Sequence, residues 1–134
     1  MKRTLTLLLC FLLCSLPTAH AAQSRTLAFT HVTVIDTRRG ALTPDTTVIV
    51  SGERIVAVGK TERVRVPKDA QVVDASGKFL IPGKLADLVL LDANPLESIG
   101  NTRKLAGVVA NGRYLPRESL QKMLDDAEAL ANKN

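Results

Sequence analysis

The sequence predicts a mainly β fold, a small β-sandwich or partly open barrel with one α-helix at its C-terminal end. Short runs of Val, Ile, Thr and Leu recur between residues 27 and 115, separated by Gly, Asn, Asp and Ser. That pattern is typical of short strands joined by turns. After residue 115 the apolar residues are spaced as in a helix. A (β/α)8 barrel takes at least about 200 residues, so none is predicted in these 134 residues.

Eight short strands are predicted. In order they are Leu27–Asp36, Thr46–Val50, Ile55–Val58, Gln71–Asp74, Phe79–Ile81, Leu88–Leu91, Leu105–Ala110 and Arg113–Leu115. The polar segment Lys60–Ala70 contains a proline and is predicted to be a loop. Hairpins with four-residue connections are predicted at Ser51–Arg54 and Ala75–Lys78. Asn111-Gly112 is the strongest hairpin signal in the chain, because both residues tolerate the backbone of a two-residue turn.

Most of the other predicted strands are separated by turn residues. Asp92–Pro95 follows the continuous apolar run Leu88–Leu91, which suits a strand buried on both faces. Several glycines are predicted to serve turn geometry, since their spacing forms no phosphate-binding loop before a helix. These are Gly40, Gly52, Gly59 and Gly77.

The C-terminal helix is predicted to begin at Pro116 or Arg117, and Glu118 in its first turn suits the helix dipole. Its apolar residues lie on one face: Leu120, Met123, Leu124, Ala127 and Leu130. We expect this face to pack on the sheet, because an apolar helix face usually serves the protein's own core. The alternative is a helix that binds a partner.

The first 21 residues resemble a secretory signal peptide. Lys2 and Arg3 precede the apolar run Leu5–Leu16, which is too short to span a bilayer, and Ala19-His20-Ala21 fits a cleavage site. Cleavage would leave residues 22–134 as one secreted or periplasmic domain. An uncleaved anchor helix or a lipoprotein lipidated at Cys14 are the alternatives. The short run and the Leu that precedes Cys14 disfavour them.

That domain would comprise an N-terminal part (22–83), a C-terminal part (84–115) and the helix (116–131). Both cysteines, Cys10 and Cys14, lie in the leader, so the domain has no disulfide to form and no thiolate. The leader takes two of the 18 basic residues and none of the 13 acidic ones, which leaves a net charge of +3. Without a basic stripe or interleaved aromatic residues, a nucleic-acid partner is not expected, and no membrane contact is expected after cleavage.

The domain has no convincing catalytic constellation. His31 is its one histidine, whereas a hydrolytic metal site takes several converging His and carboxylate ligands. We therefore expect His31 to be an ordinary residue in the middle of the first strand. No serine lies in a G-x-S-x-G setting, neither Ser51, Ser76, Ser98 nor Ser119. Lys60 and Lys84 are predicted to be solvated.

Four carboxylates lie at predicted strand ends: Asp36, Asp74, Asp87 and Asp92. At such places Asp side chains accept hydrogen bonds from nearby backbone N–H groups and cap turns. A general acid/base pair among them stays open, although no second feature marks a pocket around them. No catalytic, cofactor-binding or metal-ligating residue is predicted.

Two sets of motifs resemble the amidohydrolase superfamily, specifically its imidazolonepropionase-like and prolidase-like metal-dependent hydrolases. The N-terminal set is Val32–Asp36, Val48–Gly59 and Val73–Gly83, and it resembles the opening of those enzymes. The C-terminal set is Gly83–Leu96 and Val108–Arg113, and it is similar to the segment that closes them. The two sets cover most of the domain and meet at Gly83-Lys84.

The resemblance implies a composite β-sandwich into which a metal-bearing (β/α)8 barrel is inserted, and hydrolysis of C–N and related bonds by metal-activated water. In the family, Pro-Gly leads into a His-x-His motif on the first barrel strand. Here Lys84-Leu85-Ala86 follows Pro82-Gly83, and the remaining barrel ligands are absent as well. Zinc or another divalent metal is implied for the family, but no family ligand can be placed on a residue of this chain.

Three hypotheses follow. The first is a truncated, catalytically inactive amidohydrolase-family protein. The second is a non-catalytic binding or oligomerisation module that pairs with itself or with a full-length relative, because sandwich surface left by the missing barrel would be exposed. The third is an active hydrolase whose site is not evident in the sequence.

Overall fold

The computed structural model describes residues 25–83 and 86–132, and the predicted leader lies outside them. Eight strands form one open sheet, followed by a helix. The strands are β1 (Thr26–Asp36), β2 (Ala41–Ser51), β3 (Arg54–Lys60), β4 (Gln71–Asp74), β5 (Phe79–Pro82), β6 (Leu88–Leu91), β7 (Leu105–Ala110) and β8 (Arg113–Pro116). A 3-10 helix at Ile99–Arg103 precedes β7, and α1 (Arg117–Ala131) follows β8. The predicted mainly β class is confirmed, and the described ranges contain no (β/α)8 barrel.

The sheet has the order β3-β2-β1-β5-β6-β7-β8, and β4 also pairs with β1. The predicted hairpin between β4 and β5 is wrong, because both strands run parallel to β1 along the same edge. The Ala75 N–H donates to the Thr30 carbonyl (2.9 Å), and the Thr33 N–H donates to the Lys78 carbonyl (3.0 Å). Residues 75–78 therefore shift the chain sideways between β4 and β5 but do not reverse its direction.

The connection between β2 and β3 is shorter than predicted. Ser51 pairs directly with Arg54, so Gly52-Glu53 is a two-residue turn, with Gly52 at φ 57°. The predicted role of Gly59 in a turn is wrong, because Gly59 lies inside β3. A Cβ there would lie 3.0 Å from Val64 Cγ2, so its lack of a side chain makes room for the loop after β3.

The sheet curls so that β8 packs against β1 across one core. The buried cluster draws on β1, β2, β5, β6 and β7, and the ring of Phe29 on β1 meets the ring of Tyr114 on β8 edge to face, with centroids 5.5 Å apart. The hairpin turns also touch, because a Cβ at Gly112 would lie 2.5 Å from the Gly52 carbonyl oxygen. Asn111 and Gly112 both have positive φ, which confirms the predicted two-residue hairpin turn.

The C-terminal helix forms as predicted, but its apolar face does not pack on the sheet. Leu120 in the first turn is half-buried, whereas Met123, Leu124 and Leu130 are 57%, 60% and 67% exposed. The prediction of a packed face is wrong because the core closes without the helix, through the contact between β1 and β8. Within residues 25–83 and 86–132, no helix is long and apolar enough to cross a bilayer.

Candidate functional site

The Gly83-Lys84 junction lies in a hairpin between β5 and β6. These strands pair antiparallel from Phe79 opposite Leu91 to Pro82 opposite Leu88. The Gly83 N–H donates to the Asp87 carbonyl (2.8 Å), and a Cβ at Gly83 would lie 2.5 Å from that oxygen. The turn predicted at Pro82-Gly83 is confirmed. The two sets of motifs thus contribute neighbouring strands of one sheet, in which Pro82 lies opposite Leu88.

His31 lies at an irregularity in the middle of β1, where the pairing with β2 shifts register between Phe29 and Val32. The backbone of His31 is left-handed (φ 57°), and so is that of Asp45 on β2 (φ 49°). The two side chains meet there, with His31 Nδ1 3.0 Å from Asp45 Oδ1. The expected place in the first strand is confirmed, but no sequence pattern indicated the partner, which is 14 residues away.

The His31–Asp45 pair is polar but solvated, with side chains 54% and 58% exposed. The hydrogen bond from His31 is the main cause that lowers the pKa of Asp45, and a hydrogen bond from Thr61 adds to it. A His–carboxylate pair orients an imidazole for base catalysis only when a nucleophile lies within hydrogen-bond reach. Among the described residues the His31 side chain has one recorded partner, Asp45, so the geometry supports no such chemistry.

A second polar cluster links the start of α1 to the sheet through Asp92. One carboxylate oxygen accepts from Lys78 Nζ (2.8 Å), and the other accepts from the Arg117 guanidinium. Arg117 Nε also donates to the Leu105 carbonyl (2.7 Å). A shallow cavity of about 290 Å³ lies beside these side chains, and Tyr114 forms part of its wall.

The electrostatics of the second cluster follow from its contacts. The hydrogen bond from Lys78 and the charges of Lys78 and Arg117 hold the pKa of Asp92 below its ordinary value. Burial raises the pKa of Tyr114, so its hydroxyl stays protonated at neutral pH. Because Asp92 engages both cations, the cluster anchors the helix and leaves little charge to attract an anionic ligand.

The predicted turn-capping role holds for two of the four aspartates. The Asp36 carboxylate accepts from the N–H groups of Arg38 (2.9 Å) and Arg39 (3.2 Å). The Asp74 carboxylate accepts from the N–H (3.0 Å) and hydroxyl (2.6 Å) of Ser76, which lowers the pKa of Asp74. For Asp92 the prediction is wrong, because its side chain binds cations from two other elements.

The serines and lysines named in the sequence analysis lie in the following places, where the structure describes them. Ser98 caps the 3-10 helix by accepting from the Gly100 N–H (3.3 Å), and Ser51 and Ser119 lie half-buried at the end of β2 and in α1. Lys60 is exposed, but its Nζ donates to the Pro44 carbonyl (2.8 Å). Lys84 lies outside the described residues.

The described part of the chain gathers no group of three or more His, Cys, Asp or Glu side chains that could hold a metal ion. The polar arrangements that sequence reasoning missed, His31 with Asp45 and Asp92 with Arg117, each join residues that are distant in sequence. No local signal indicates such pairs, because they depend on which strands become neighbours.

Comparisons with known proteins give partial structural matches. No family model matches the chain, and no curated protein matches it either. Molinate hydrolase is 36% identical over 46% of this chain, with a TM-score of 0.41. Phenylurea hydrolase B is 45% identical over 43%, with a TM-score of 0.40. A prolidase in complex with N-methylphosphonate-L-proline is 36% identical over 43%, with a TM-score of 0.38.

The matched part is a small piece of each of those proteins, between 13% and 14% of their chains. Over somewhat less than half of its length, this chain is similar in structure to parts of molinate hydrolase, phenylurea hydrolase B and a prolidase.

Proposed function

We propose that this chain is a non-catalytic β-domain of the amidohydrolase type, in which the flanking segments are joined directly and the metal-binding barrel is missing. The observation that carries the proposal is the hairpin at the junction, where Pro82 pairs with Leu88. The family motifs before and after that point continue as adjacent strands. The chain therefore has a sterically acceptable fold without an inserted barrel.

The chemistry of the remaining residues supports the same conclusion. Activation of water by a metal ion takes several converging ligands, and residues 22–134 contain a single histidine, His31. That histidine is engaged with Asp45 on the exposed surface. Neither the Asp45 pair nor the Asp92 cluster brings a nucleophile and a base together beside an enclosed cavity.

The test is a metal analysis combined with assays on three substrate types. The purified full chain is analysed for zinc and manganese, then incubated with a proline-containing dipeptide, molinate and a phenylurea, the compounds that the names prolidase, molinate hydrolase and phenylurea hydrolase indicate. We expect substoichiometric metal and no turnover above buffer. Stoichiometric metal with chelator-sensitive turnover would overturn the proposal and favour the third hypothesis. A mock preparation from host cells that lack the chain, assayed in parallel, distinguishes such activity from a contaminant.

We further propose that the junction arose by in-frame deletion between two similar Pro-Gly stretches, one on each side of the lost barrel. Sequencing the genomic locus from upstream of the codon for Phe79 to downstream of that for Asp92 tests this origin. A continuous junction at the locus and in the transcript is the expected result. A barrel reading frame between the codons for Gly83 and Lys84 would show that the chain is a product of gene prediction or assembly.

Export is a separate proposal, and it rests on the basic residues, the short apolar run and the Ala19-His20-Ala21 site of the first 21 residues. Expressed with its leader in a bacterial host, the chain should be recovered from the periplasm or medium with Ala22 at its N-terminus. N-terminal sequencing and cell fractionation measure this. A cytosolic chain that retains Met1 would contradict it.

A second candidate function is association, and the exposed apolar face of α1 specifically favours it. Three large apolar side chains of that face are more than half exposed, although the core is closed without them. Exposed apolar surface that is rimmed by polar residues is typical of a protein–protein contact.

A further inference from the structure

We propose that the apolar face of α1 binds the exposed face of β3 in a second copy of this chain. This inference rests on the second candidate function and names its partner and surfaces. Both surfaces belong to this one sequence, and they match in apolar character and charge. The surface on one copy is called the helix face (Met123, Leu124, Asp126, Glu128 and Leu130). The surface on the other copy is called the strand face (Arg54, Val56, Val58 and Lys60).

The helix face combines exposed apolar side chains with acidic edges. Asp126 is three residues after Met123 and four before Leu130, and Glu128 is four after Leu124. Residues three and four apart are neighbours on a helix surface, so one carboxylate borders each side of the apolar face. Asp125, in contrast, points away from that face, and its carboxylate accepts a hydrogen bond from Gln121 (2.9 Å).

The strand face has the complementary composition. β3 is the edge strand of the sheet, and every second residue of it is exposed, with Val56 at 58% and Val58 at 57%. The exposed residues at its two ends are both basic, Arg54 and Lys60. An exposed edge strand with apolar side chains is a ready surface for association unless something covers it.

An apolar groove enlarges the strand face. It has a volume of about 400 Å³ and is lined on one side by Val58 and Ile55 of β3, and on the other by Val34, Leu80 and Pro82. The apolar surface therefore continues from the strand into a depression that has room for a Leu or Met side chain.

Charge selects this partner over a membrane. A helix that lies on an anionic lipid surface carries Lys and Arg beside its apolar face, whereas this apolar face is bordered by Asp126 and Glu128. Those carboxylates would be repelled by lipid phosphates and attracted by Arg54 and Lys60 of another copy. The contact is thus self-complementary within one sequence.

The test uses charge reversal in the full chain and measures mass by sedimentation over a range of concentrations. The wild type should exceed the 14.4 kDa mass of one chain as its concentration rises. Reversing the helix face (D126K with E128K) should raise the dissociation constant by at least about tenfold, because it opposes like charges across the contact. Reversing the strand face (R54E with K60E) should have the same effect.

Mixing the two reversed chains should restore association, since a basic helix face then meets an acidic strand face. D125K is the control, because it reverses one acidic residue on the opposite side of the helix, and it should leave the dissociation constant unchanged within about twofold. All these chains share residues 1–24, so association through that segment would be common to them. Circular dichroism checks that each variant is folded.

Three results would overturn the proposal. They are a wild type that keeps the mass of a monomer at its highest soluble concentration, equal effects of D125K and the helix-face reversal, and a mixture of the reversed chains that does not associate. None of these results bears on the absence of hydrolase activity. The association experiment can therefore contradict this inference without contradicting the first proposed function.

Discussion

At the scale of single residues, Asp92 connects the sheet to the start of α1. Its carboxylate joins Lys78, which precedes β5, to Arg117 at the start of α1. Asp92→Asn removes the charge from both contacts, and we expect a loss of about 1 kcal/mol in the free energy of unfolding, since the group is partly screened by solvent. Urea denaturation measures the loss. Glu62→Gln is the control, because its ion pair with Arg63 is almost fully exposed, and it should cost less than about 0.5 kcal/mol.

The pH dependence of the Asp92 contribution has a definite sign. Contacts with Lys78 and Arg117 lower the pKa of Asp92 in the folded state below the ordinary value of 3.8. The unfolded chain therefore binds the proton first, and the stabilisation is complete above about pH 4 and is lost as the pH falls through the folded pKa. Asp45 and Asp74 also have lowered pKa values. The test is therefore the difference between the wild type and Asp92→Asn, which should shrink between pH 5 and pH 2 (about the range in which Asp titrates). A constant difference would contradict this assignment.

Gly112 tests whether the turn between β7 and β8 is in close contact with the turn between β2 and β3. Gly112 and Gly40 have nearly the same backbone, with φ 69° and 66°, but only a Cβ at Gly112 would meet another turn, 2.5 Å from the Gly52 carbonyl oxygen. Gly40→Ala should cost about 1 kcal/mol for the left-handed backbone alone. Gly112→Ala should cost about 3 kcal/mol, because the contact must also open. Equal losses in thermal or urea denaturation would show that the turns are not packed together.

At the scale of elements, the β5–β6 hairpin should tolerate insertion. Pro82 and Leu88 are paired neighbours, so the loop between them needs no particular length to join the strands. Ten Gly and Ser residues inserted between Lys84 and Leu85 should cost about 1 kcal/mol, the entropy of closing the longer loop. The same insertion between Gly52 and Glu53 is the control and should cost more, because that turn packs against Gly112. The denaturation midpoints of the two insertion variants are compared. A larger loss of stability for the insertion at the junction would show that this hairpin does not tolerate insertion.

The elements also show how far sequence reasoning reaches. Local patterns predict the β-strand runs, the Asn111-Gly112 turn and the helix after Pro116, because alternation, turn chemistry and helical spacing act over a few residues. Partner choice is not local. β4 and β5 both align with β1 although a tight hairpin between them was equally compatible with the sequence. The same reason explains why the candidate polar sites could not be predicted, since neither the Asp45 partner of His31 nor the Arg117 partner of Asp92 has a local signal. The amphipathic pattern of α1 predicted a helix, but the pattern alone could not show that its apolar face is exposed.

At the scale of the whole molecule, the segments before and after the junction should unfold as one unit. They share a core in which Phe29 of β1 contacts Tyr114 of β8, so neither segment buries its apolar face alone. Tyr114 is the only tyrosine and the chain has no tryptophan, which makes its fluorescence a probe of a single position in the later segment. Circular dichroism reports on both segments, because five strands belong to the earlier one and three strands and α1 belong to the later one. The two signals should follow one urea transition.

The substitution Phe29→Leu strengthens this test, because it changes only the earlier segment. It should cost about 2 kcal/mol, from lost apolar contact and the cavity left beside Tyr114. If the core is shared, the fluorescence of Tyr114 and the circular dichroism should shift to the same lower urea concentration. If the segments fold separately, the dichroism would show two transitions, and the one that coincides with the fluorescence of Tyr114 would keep its original midpoint. A shared shift is expected because the edge-to-face contact of the two rings crosses between the segments that Gly83 and Lys84 join.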